Sequence, residues 1–154
     1  MAVKEGERAP DFSMATDDGG KVSLKSLKGK NVVLYFYPKD DTPGCTKEAC
    51  AFRDNLPDFS KVKATVIGVS KDSVESHQKF KKKYALPFPL ASDPDKKVIK
   101  AYGVWKKKSL YGREFMGIER STFLIDAKGV VRKIWRKVKV GGHADEVLES
   151  LGEL

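Results

Sequence analysis

The sequence has few of the side chains that build metal sites or disulfide frameworks. Its 154 residues include two cysteines and two histidines, whereas a structural zinc site needs four ligands, usually in closely spaced pairs. Two cysteines are also too few for the framework of a small secreted protein. We interpret His77 and His143 as packing or capping residues. We therefore expect no metal, and we expect no cofactor because no glycine-rich phosphate loop or cofactor fingerprint is found.

The chain also lacks a long hydrophobic run. No apolar stretch approaches the roughly 20 residues that a membrane-spanning helix needs, and no signal region with a charged and then an apolar part is found at the start. A length of 154 residues is typical of one domain with a core of its own. We expect a cytoplasmic protein that forms one domain over 1–154 and has no membrane partner.

Positive charge is in excess but is not concentrated in one region. The chain carries 30 Lys and Arg against 21 Asp and Glu, a net charge of +9, which raises the question of nucleic-acid binding. The lysines are spread along the chain with acids between them, and the two densest runs, 81–83 and 106–108, contain no aromatic residue. We interpret these runs as solvated faces and expect no nucleic-acid partner. A basic nucleic-acid binder with an incidental thiol pair is the alternative.

Apolar runs and turn residues predict an α/β fold. The continuous β-branched and aromatic residues of 32–37 and 65–70 are typical of central strands that are buried on both faces. Helical spacing and turn residues predict further elements: helices over 73–84, 93–102 and 143–151, and a hairpin of 121–126 and 130–135 that turns at Gly129. We predict a sandwich with a central mixed β-sheet flanked by helices.

Cys45 follows the first of these strands across a turn rich in proline and glycine. Thr42 is suited to cap a helix and Pro43 to occupy its first turn, so Cys45 is expected inside the first turn. The partial positive charge of a helix start stabilises a thiolate, which is the reactive form of cysteine. These residues alone leave a second interpretation open, in which Cys45 is a small buried hydrophobic residue.

The spacing Pro38-x-x-x-Thr42-x-x-Cys45 resembles the active-site motif of the peroxiredoxin family. The run from Thr42 to Cys50 is similar to the Q-type branch of that family, the bacterioferritin comigratory proteins. Two further segments, 6–12 and 120–126, resemble the family's N-terminal signature and one of its late strands. The resemblance therefore extends across nearly the whole chain.

This resemblance implies a thioredoxin-like fold and an enzyme that reduces hydrogen peroxide and organic hydroperoxides. Cys45 would be the peroxidatic thiol, and Cys50 would resolve its sulfenic acid as an intramolecular disulfide. Thr42 would orient the thiolate and the peroxide, Pro38 would shape and shield the pocket, and Arg120 would bring a guanidinium to the same place. Thioredoxin would be the reductant, with glutaredoxin or a glutathione system as alternatives. We expect a monomer, and a weak dimer is the second choice.

Each assignment has a simpler alternative. Pro38 could only end a strand, Thr42 could only cap a helix, and Arg120 could form an ordinary surface ion pair. Glu48 and Arg53 lie near Cys45 on the predicted helix, but helix surfaces commonly carry such charges, so neither is assigned a role. A disulfide oxidoreductase of the thioredoxin type is a rival function, although it normally has two residues between its cysteines.

Helix geometry makes a separate prediction about the two cysteines. If Cys45 and Cys50 lie on one α-helix, their Cα atoms are about 8.7 Å apart. A disulfide tolerates at most about 7 Å. The helix between them must therefore unwind locally before a disulfide can form.

Overall fold

The structure is a computed structural model that describes residues 3–154. Its strands are β1 (Ser13–Thr16), β2 (Lys21–Ser23), β3 (Asn31–Phe36), β4 (Ala64–Ser70), β5 (Leu90–Ser92), β6 (Trp105–Leu110), β7 (Arg113–Ile118), β8 (Ser121–Ile125) and β9 (Val131–Trp135). Its α-helices are α1 (Pro43–Lys61), α2 (Val74–Tyr84), α3 (Lys97–Ala101) and α4 (His143–Leu151).

Seven of these strands form one mixed sheet in the order β2-β1-β5-β4-β3-β8-β9. The inner strand β3 is parallel to β4 and antiparallel to β8. β6 and β7 form a separate antiparallel pair. The predicted α/β sandwich with a central mixed sheet is therefore confirmed.

The apolar side chains of β3 explain why this strand lies inside the sheet. Side chains alternate between the two faces of a strand, and both faces of β3 are covered. One face packs against α1, α2 and α4, and the other packs against α3 and the N-terminal segment. The side chains on the first face are Val33 and Tyr35, continued by Tyr37 just after the strand, and those on the second face are Val32, Leu34 and Phe36. All are at most 1% exposed. A strand buried on both faces was the prediction from this run.

The helix predicted to begin at Asp93 and Pro94 begins later, so this boundary was wrong. Pro94 and Asp95 form a turn, and Lys96 has a positive φ of 62°, which is incompatible with continuing a right-handed helix backwards through this residue. The turn lets the Asp93 carboxylate accept a hydrogen bond from the N–H of Ile99 at 2.8 Å. Asp93 therefore accepts a hydrogen bond from the first turn of α3, although it lies outside the helix.

Two hairpins were missed by the sequence interpretation. The β1–β2 pair adds two strands at one edge of the sheet, and the β6–β7 pair contains the run 106–108 that was interpreted only as a solvated face. Both hairpins have short or largely exposed strands, so neither has the continuous apolar run of a buried strand. Of the helices within residues 3–154, none is both long and apolar enough to cross a membrane.

Both histidines are buried and hydrogen-bonded, in agreement with the interpretation as packing or capping residues. His77 on α2 is within 2.7 Å of the Asp40 carboxylate through Nδ1 and within 2.9 Å of the Ala91 carbonyl through Nε2. His143 begins α4, and its Nε2 lies 2.7 Å from the Thr122 hydroxyl. These contacts fix both helices against the sheet.

Candidate active site

Cys45 lies where β3 ends and α1 begins. Pro43 is the first residue of α1 and Cys45 the third, so the thiol occupies the first helical turn as predicted. Its side chain is 1% exposed and packs in the core between the sheet and the helices. Arg120 donates a hydrogen bond from Nη2 to Cys45 Sγ at 3.3 Å.

The register of the sheet explains how Arg120 reaches a residue that is 75 positions away. β8 pairs with β3 so that Ser121 lies opposite Phe36, the last residue of β3. Arg120 directly precedes Ser121, and it therefore lies beside the loop that leads to Cys45. Val138 donates its N–H to the Arg120 carbonyl at 3.0 Å, which holds the backbone of Arg120 on its other side.

Glu48 completes the contacts of the guanidinium. Its Oε1 accepts a hydrogen bond from Arg120 Nη1 at 2.7 Å, and the side chain is 1% exposed. Its Oε2 is buried and has no hydrogen-bond partner within residues 3–154. Burial raises the pKa of Glu48 to about 7, although Arg120 acts in the opposite direction. Burial also acts against the charge of Arg120, but Glu48 and Cys45 beside it raise the pKa of the guanidinium above its ordinary value.

The sequence interpretation assigned no role to Glu48, and the structure brings it to the site. Cys45, Glu48 and Phe52 follow one another at helical spacing on α1, and all three are buried. The sequence signal for this role is that Glu48 is a charged residue among the residues of α1 that face the core. Arg53 does not join the site, because it donates to the Tyr84 carbonyl at 2.7 Å and pairs with Asp54.

Gly44 makes room for the guanidinium. A Cβ atom at this position would lie 3.1 Å from Arg120 Nη2, a distance at which one of the two groups has to move. A glycine in the first turn of a helix has a cost in helix propensity. The close approach of Arg120 explains why glycine fits this position.

Thr42 and Pro38 lie on the loop between β3 and α1. Thr42 has the extended conformation of a helix N-cap, but its side chain makes no capping hydrogen bond. Its hydroxyl instead donates to the Lys39 carbonyl at 2.9 Å, so the interpretation of this side chain as only a helix cap was wrong. Pro38 is half-buried and follows the buried Tyr37.

Cys50 lies on the same helix as Cys45, which is the premise of the geometric prediction. Both cysteines are free thiols, Cys45 buried and Cys50 partly exposed.

Contacts with α2 hold the start of α1 in place. The Asp41 carboxylate accepts from Lys83 Nζ at 2.8 Å and from the Tyr84 hydroxyl at 2.7 Å.

A cavity of about 340 Å³ lies beside Arg120, at the base of the β6–β7 hairpin. Its lining is mostly cationic: Lys106, Lys107, Lys108, Glu119, Arg120, Lys137 and Val138. Burial and the neighbouring Arg120 lower the pKa of Lys108. An anion in this cavity would meet several positive charges and one acidic residue.

This arrangement can support nucleophilic attack by a thiol. A sulfur at a helix start beside a fixed guanidinium has its negative charge stabilised from two directions. A cysteine placed in this way on a mixed α/β sheet has the arrangement expected of an enzyme that uses a thiol as its nucleophile.

Comparison with known proteins identifies the family. The AhpC/TSA family model matches residues 6–134, and the chain therefore belongs to the AhpC/TSA family. A putative peroxiredoxin Bcp of Coxiella burnetii is 56% identical over 151 residues and covers 98% of this chain and 100% of its own length. Peroxiredoxin Bcp of Bacillus subtilis is 53% identical over 154 residues, with 100% and 98% covered.

Solved structures agree with the fold and the family. The Xanthomonas campestris bacterioferritin comigratory protein, solved in relation to its alkyl peroxide reduction activity, has a TM-score of 0.88 and 46% identity over 92% of this chain and 90% of that one. A Xylella fastidiosa PrxQ structure has a TM-score of 0.94 and 41% identity, with 99% and 98% covered. The predicted resemblance to the Q-type peroxiredoxins is confirmed, and this chain is a thiol peroxidase.

Proposed function

We propose that Cys45 is the thiol that attacks the peroxide and that Arg120 stabilises the charge that develops in this reaction. The observation that carries the proposal is the 3.3 Å contact between Arg120 Nη2 and Cys45 Sγ. The first turn of α1 places partial positive charge at the sulfur. The guanidinium adds a full positive charge that does not titrate in the physiological range.

The first step oxidises the sulfur and splits the peroxide. The Cys45 thiolate attacks the terminal oxygen of the peroxide, an S–O bond forms, and the O–O bond breaks. Cys45 becomes a sulfenic acid, and the departing oxygen takes up a proton and leaves as water or an alcohol. Negative charge grows on that oxygen as the bond breaks, so a fixed guanidinium stabilises the transition state more than the ground state. Glu48 positions this guanidinium through the 2.7 Å pair with Nη1.

Thr42 and Pro38 complete the proposed peroxide pocket. The Thr42 hydroxyl donates its hydrogen to the Lys39 carbonyl, and its oxygen still has lone pairs that can accept a hydrogen bond from a peroxide O–H. Pro38 is half-buried on the loop that follows β3, and we assign it the role of shielding the pocket from water. The proposed substrates are hydrogen peroxide and organic hydroperoxides, and alkyl peroxide reduction by the Xanthomonas relative supports this class.

Cys50 is proposed to resolve the sulfenic acid. Its thiol would condense with oxidised Cys45, release water and leave an intramolecular disulfide. Both cysteines lie on α1, where an ideal helix keeps their Cα atoms about 8.7 Å apart, beyond the roughly 7 Å that a disulfide tolerates. Resolution therefore requires the first turns of α1 to unwind.

An external dithiol must then reduce the disulfide for the next turnover. We propose thioredoxin for this step, with glutaredoxin or a glutathione system as the alternative. Such reductants act in reducing compartments, which supports a cytoplasmic location. We also propose that 1–154 acts as one thioredoxin-like domain, because both cores pack on a single sheet. We propose a monomer because the chain has no cysteine besides Cys45 and Cys50 that could form an intersubunit disulfide.

Peroxide consumption with thioredoxin, thioredoxin reductase and NADPH tests this proposal. Cys45→Ser should abolish turnover, whereas Cys50→Ser should consume about one equivalent of peroxide and stop at the sulfenic acid. Arg120→Lys should slow the reaction substantially while the fold stays intact, because lysine keeps the charge but loses the planar donor fork. The same assay with glutaredoxin in place of thioredoxin distinguishes the two classes of reductant.

Three results would contradict the assignment. Retention of most of the rate in Cys45→Ser would show that another group attacks the peroxide. Equal second-order rates for Arg120→Lys and the parent would remove Arg120 from the catalytic residues. Reduction of insulin without turnover of peroxide would favour the disulfide oxidoreductase instead.

A further inference from the structure

The β6–β7 hairpin carries most of the exposed large hydrophobic side chains in the described part of the chain. Five large hydrophobic side chains within residues 3–154 are strongly exposed, and four of them lie on this hairpin. They are Leu110 at 57%, Tyr111 at 97%, Phe115 at 45% and Met116 at 49%. Concentrated apolar surface on a protein of this size marks a contact with something else.

The apolar side chains cover both faces and the tip of the hairpin. Phe115 and Met116 are neighbours on β7, so their side chains point to opposite faces. Leu110 and Tyr111 lie at the turn that joins β6 to β7. Only the base is buried, where Ile118 is 1% exposed. In the described part of the chain, β6 and β7 pair with each other and with no other strand.

The same hairpin is strongly cationic. Residues 105–118 contain three lysines and Arg113 against Glu114 as the single acid, a net charge of +3. Glu114 pairs with Lys107 at 2.7 Å, which leaves Lys106, Lys108 and Arg113 without an acidic partner among residues 3–154. The occupant of this surface must therefore accept apolar groups and provide negative charge.

An anionic lipid surface meets both requirements better than the alternatives. Two copies of the chain related by a twofold axis would bring identical positive charges together. A folded acidic protein would cover one face of a two-stranded hairpin and leave the other exposed. The boundary between lipid headgroups and acyl chains is fluid and surrounds an inserted tip on all sides, with phosphates within reach of lysine and arginine.

We propose that the β6–β7 hairpin docks the protein onto anionic lipid surfaces, with Leu110 and Tyr111 in the headgroup boundary and the cationic side chains at the phosphates. The absence of a spanning run led to the expectation of no membrane partner, but docking of this kind needs no spanning segment. The base of the hairpin lines the cavity beside Arg120, so a docked molecule holds that cavity close to the lipid.

Sedimentation of vesicles with the reduced protein of residues 1–154 tests the proposal. Vesicles of phosphatidylcholine with about 30% phosphatidylglycerol should bind at least about tenfold more protein than vesicles of phosphatidylcholine alone. Raising the salt to about 0.5 M should weaken this binding strongly, because surface charges are then screened.

Two variants separate the apolar from the cationic contribution. Leu110→Ser with Tyr111→Asn should lower partitioning about tenfold or more, and asparagine tolerates the positive φ of 52° at position 111. Lys106→Gln should lower it about fivefold. Leu154→Ser is the matched apolar control, since Leu154 is 45% exposed and is not part of the hairpin, and Lys28→Gln is the matched charge control. Both controls should bind as the parent does.

Equal binding to the two vesicle compositions would overturn the proposal. So would unchanged binding by the Leu110→Ser and Tyr111→Asn variant. A dimer in sedimentation velocity that dissociates in this variant would assign the hairpin to a second copy of the chain and would also overturn it. The test measures binding, so its result is independent of the proposed roles of the cysteines.

Discussion

Replacement of Glu48 by glutamine should change how the stability of the protein depends on pH. The carboxyl group is buried, and its pKa is raised from 4.5 to about 7, first by burial and against the effect of Arg120. Glutamine has nearly the same shape and keeps an oxygen that can accept from Arg120 Nη1, but it does not titrate. The substitution therefore removes the ionisation and retains most of the packing.

The sign of the effect follows from the two pKa values. Between pH 4.5 and 7 the folded protein holds a proton on Glu48 that the unfolded chain releases. Glu48 therefore makes its full contribution to the free energy of unfolding at pH values below the pKa of 4.5 in the unfolded chain. This contribution is lost as the pH rises to about 7. Each pKa unit is worth about 1.4 kcal/mol, so the parent should lose about 2 to 3 kcal/mol through this group between pH 5 and 8. Glu48→Gln should lose none of it.

The assay is urea unfolding of parent and variant under reducing conditions at several pH values from 5 to 8. The difference between the two free energies of unfolding is the quantity to follow, because His143 acts in the opposite sense. Burial lowers the pKa of His143 to about 4, so this group destabilises the fold as the pH falls, and the curve of the parent alone mixes both effects. The difference should move in favour of the variant by about 2 to 3 kcal/mol as the pH rises.

A difference that stays constant from pH 5 to 8 would refute this reasoning. It would mean that Glu48 titrates alike in the folded and unfolded chains, and hence that the buried pair with Arg120 carries a permanent charge on both sides. Glu149→Gln, which replaces an exposed carboxyl group on the outer surface of α4, is the matched control for the change of side chain.

Gly44→Ala should slow the reaction with peroxide about tenfold, because the new Cβ would lie 3.1 Å from Arg120 Nη2; stopped-flow kinetics measure this rate. The free energy of unfolding, measured in urea, should stay equal or rise by about 0.5 kcal/mol. Amide hydrogen exchange should show lower protection of residues 45–52 in the disulfide form than in the reduced form, and undiminished protection would mean that the proposed pairing is mistaken. For His143→Gln, the difference between the free energies of unfolding of variant and parent should move in favour of the variant by about 3 kcal/mol from pH 7 to 4, since the unfolded parent takes up a proton that its buried imidazole does not. A constant difference would contradict this account.

Local pattern was enough to predict the centre of the fold and the place of the thiol. The run 32–37 contains only β-branched, aliphatic and aromatic side chains, and a strand of this kind has to be covered on both faces. Thr42 and Pro43 mark a helix start, so Cys45 was expected in the first turn, where it lies. The motif around Cys45 also indicated the family, which the comparisons confirm.

Weak local signals explain the elements that were missed or misplaced. The strand β6 contains three consecutive lysines and is largely exposed. No apolar pattern in the sequence therefore predicts its pairing with β7. The start of α3 depends on a left-handed residue at Lys96 and on a contact of Asp93 across a turn. Neither feature has a marker in the sequence, because lysine is not a residue that commonly adopts this conformation.

The sequence by itself determined that a cysteine would stand at a helix start behind a buried strand, since both elements form from neighbouring residues. Only the tertiary structure decided what surrounds that cysteine. The pairing of β8 with β3 carries Arg120 to the thiol across 75 residues, and the packing of α1 on the sheet buries Glu48 beside it. Contacts between distant segments depend on strand register and on the shape of the core, and these properties belong to the assembled sheet and helices rather than to any single segment.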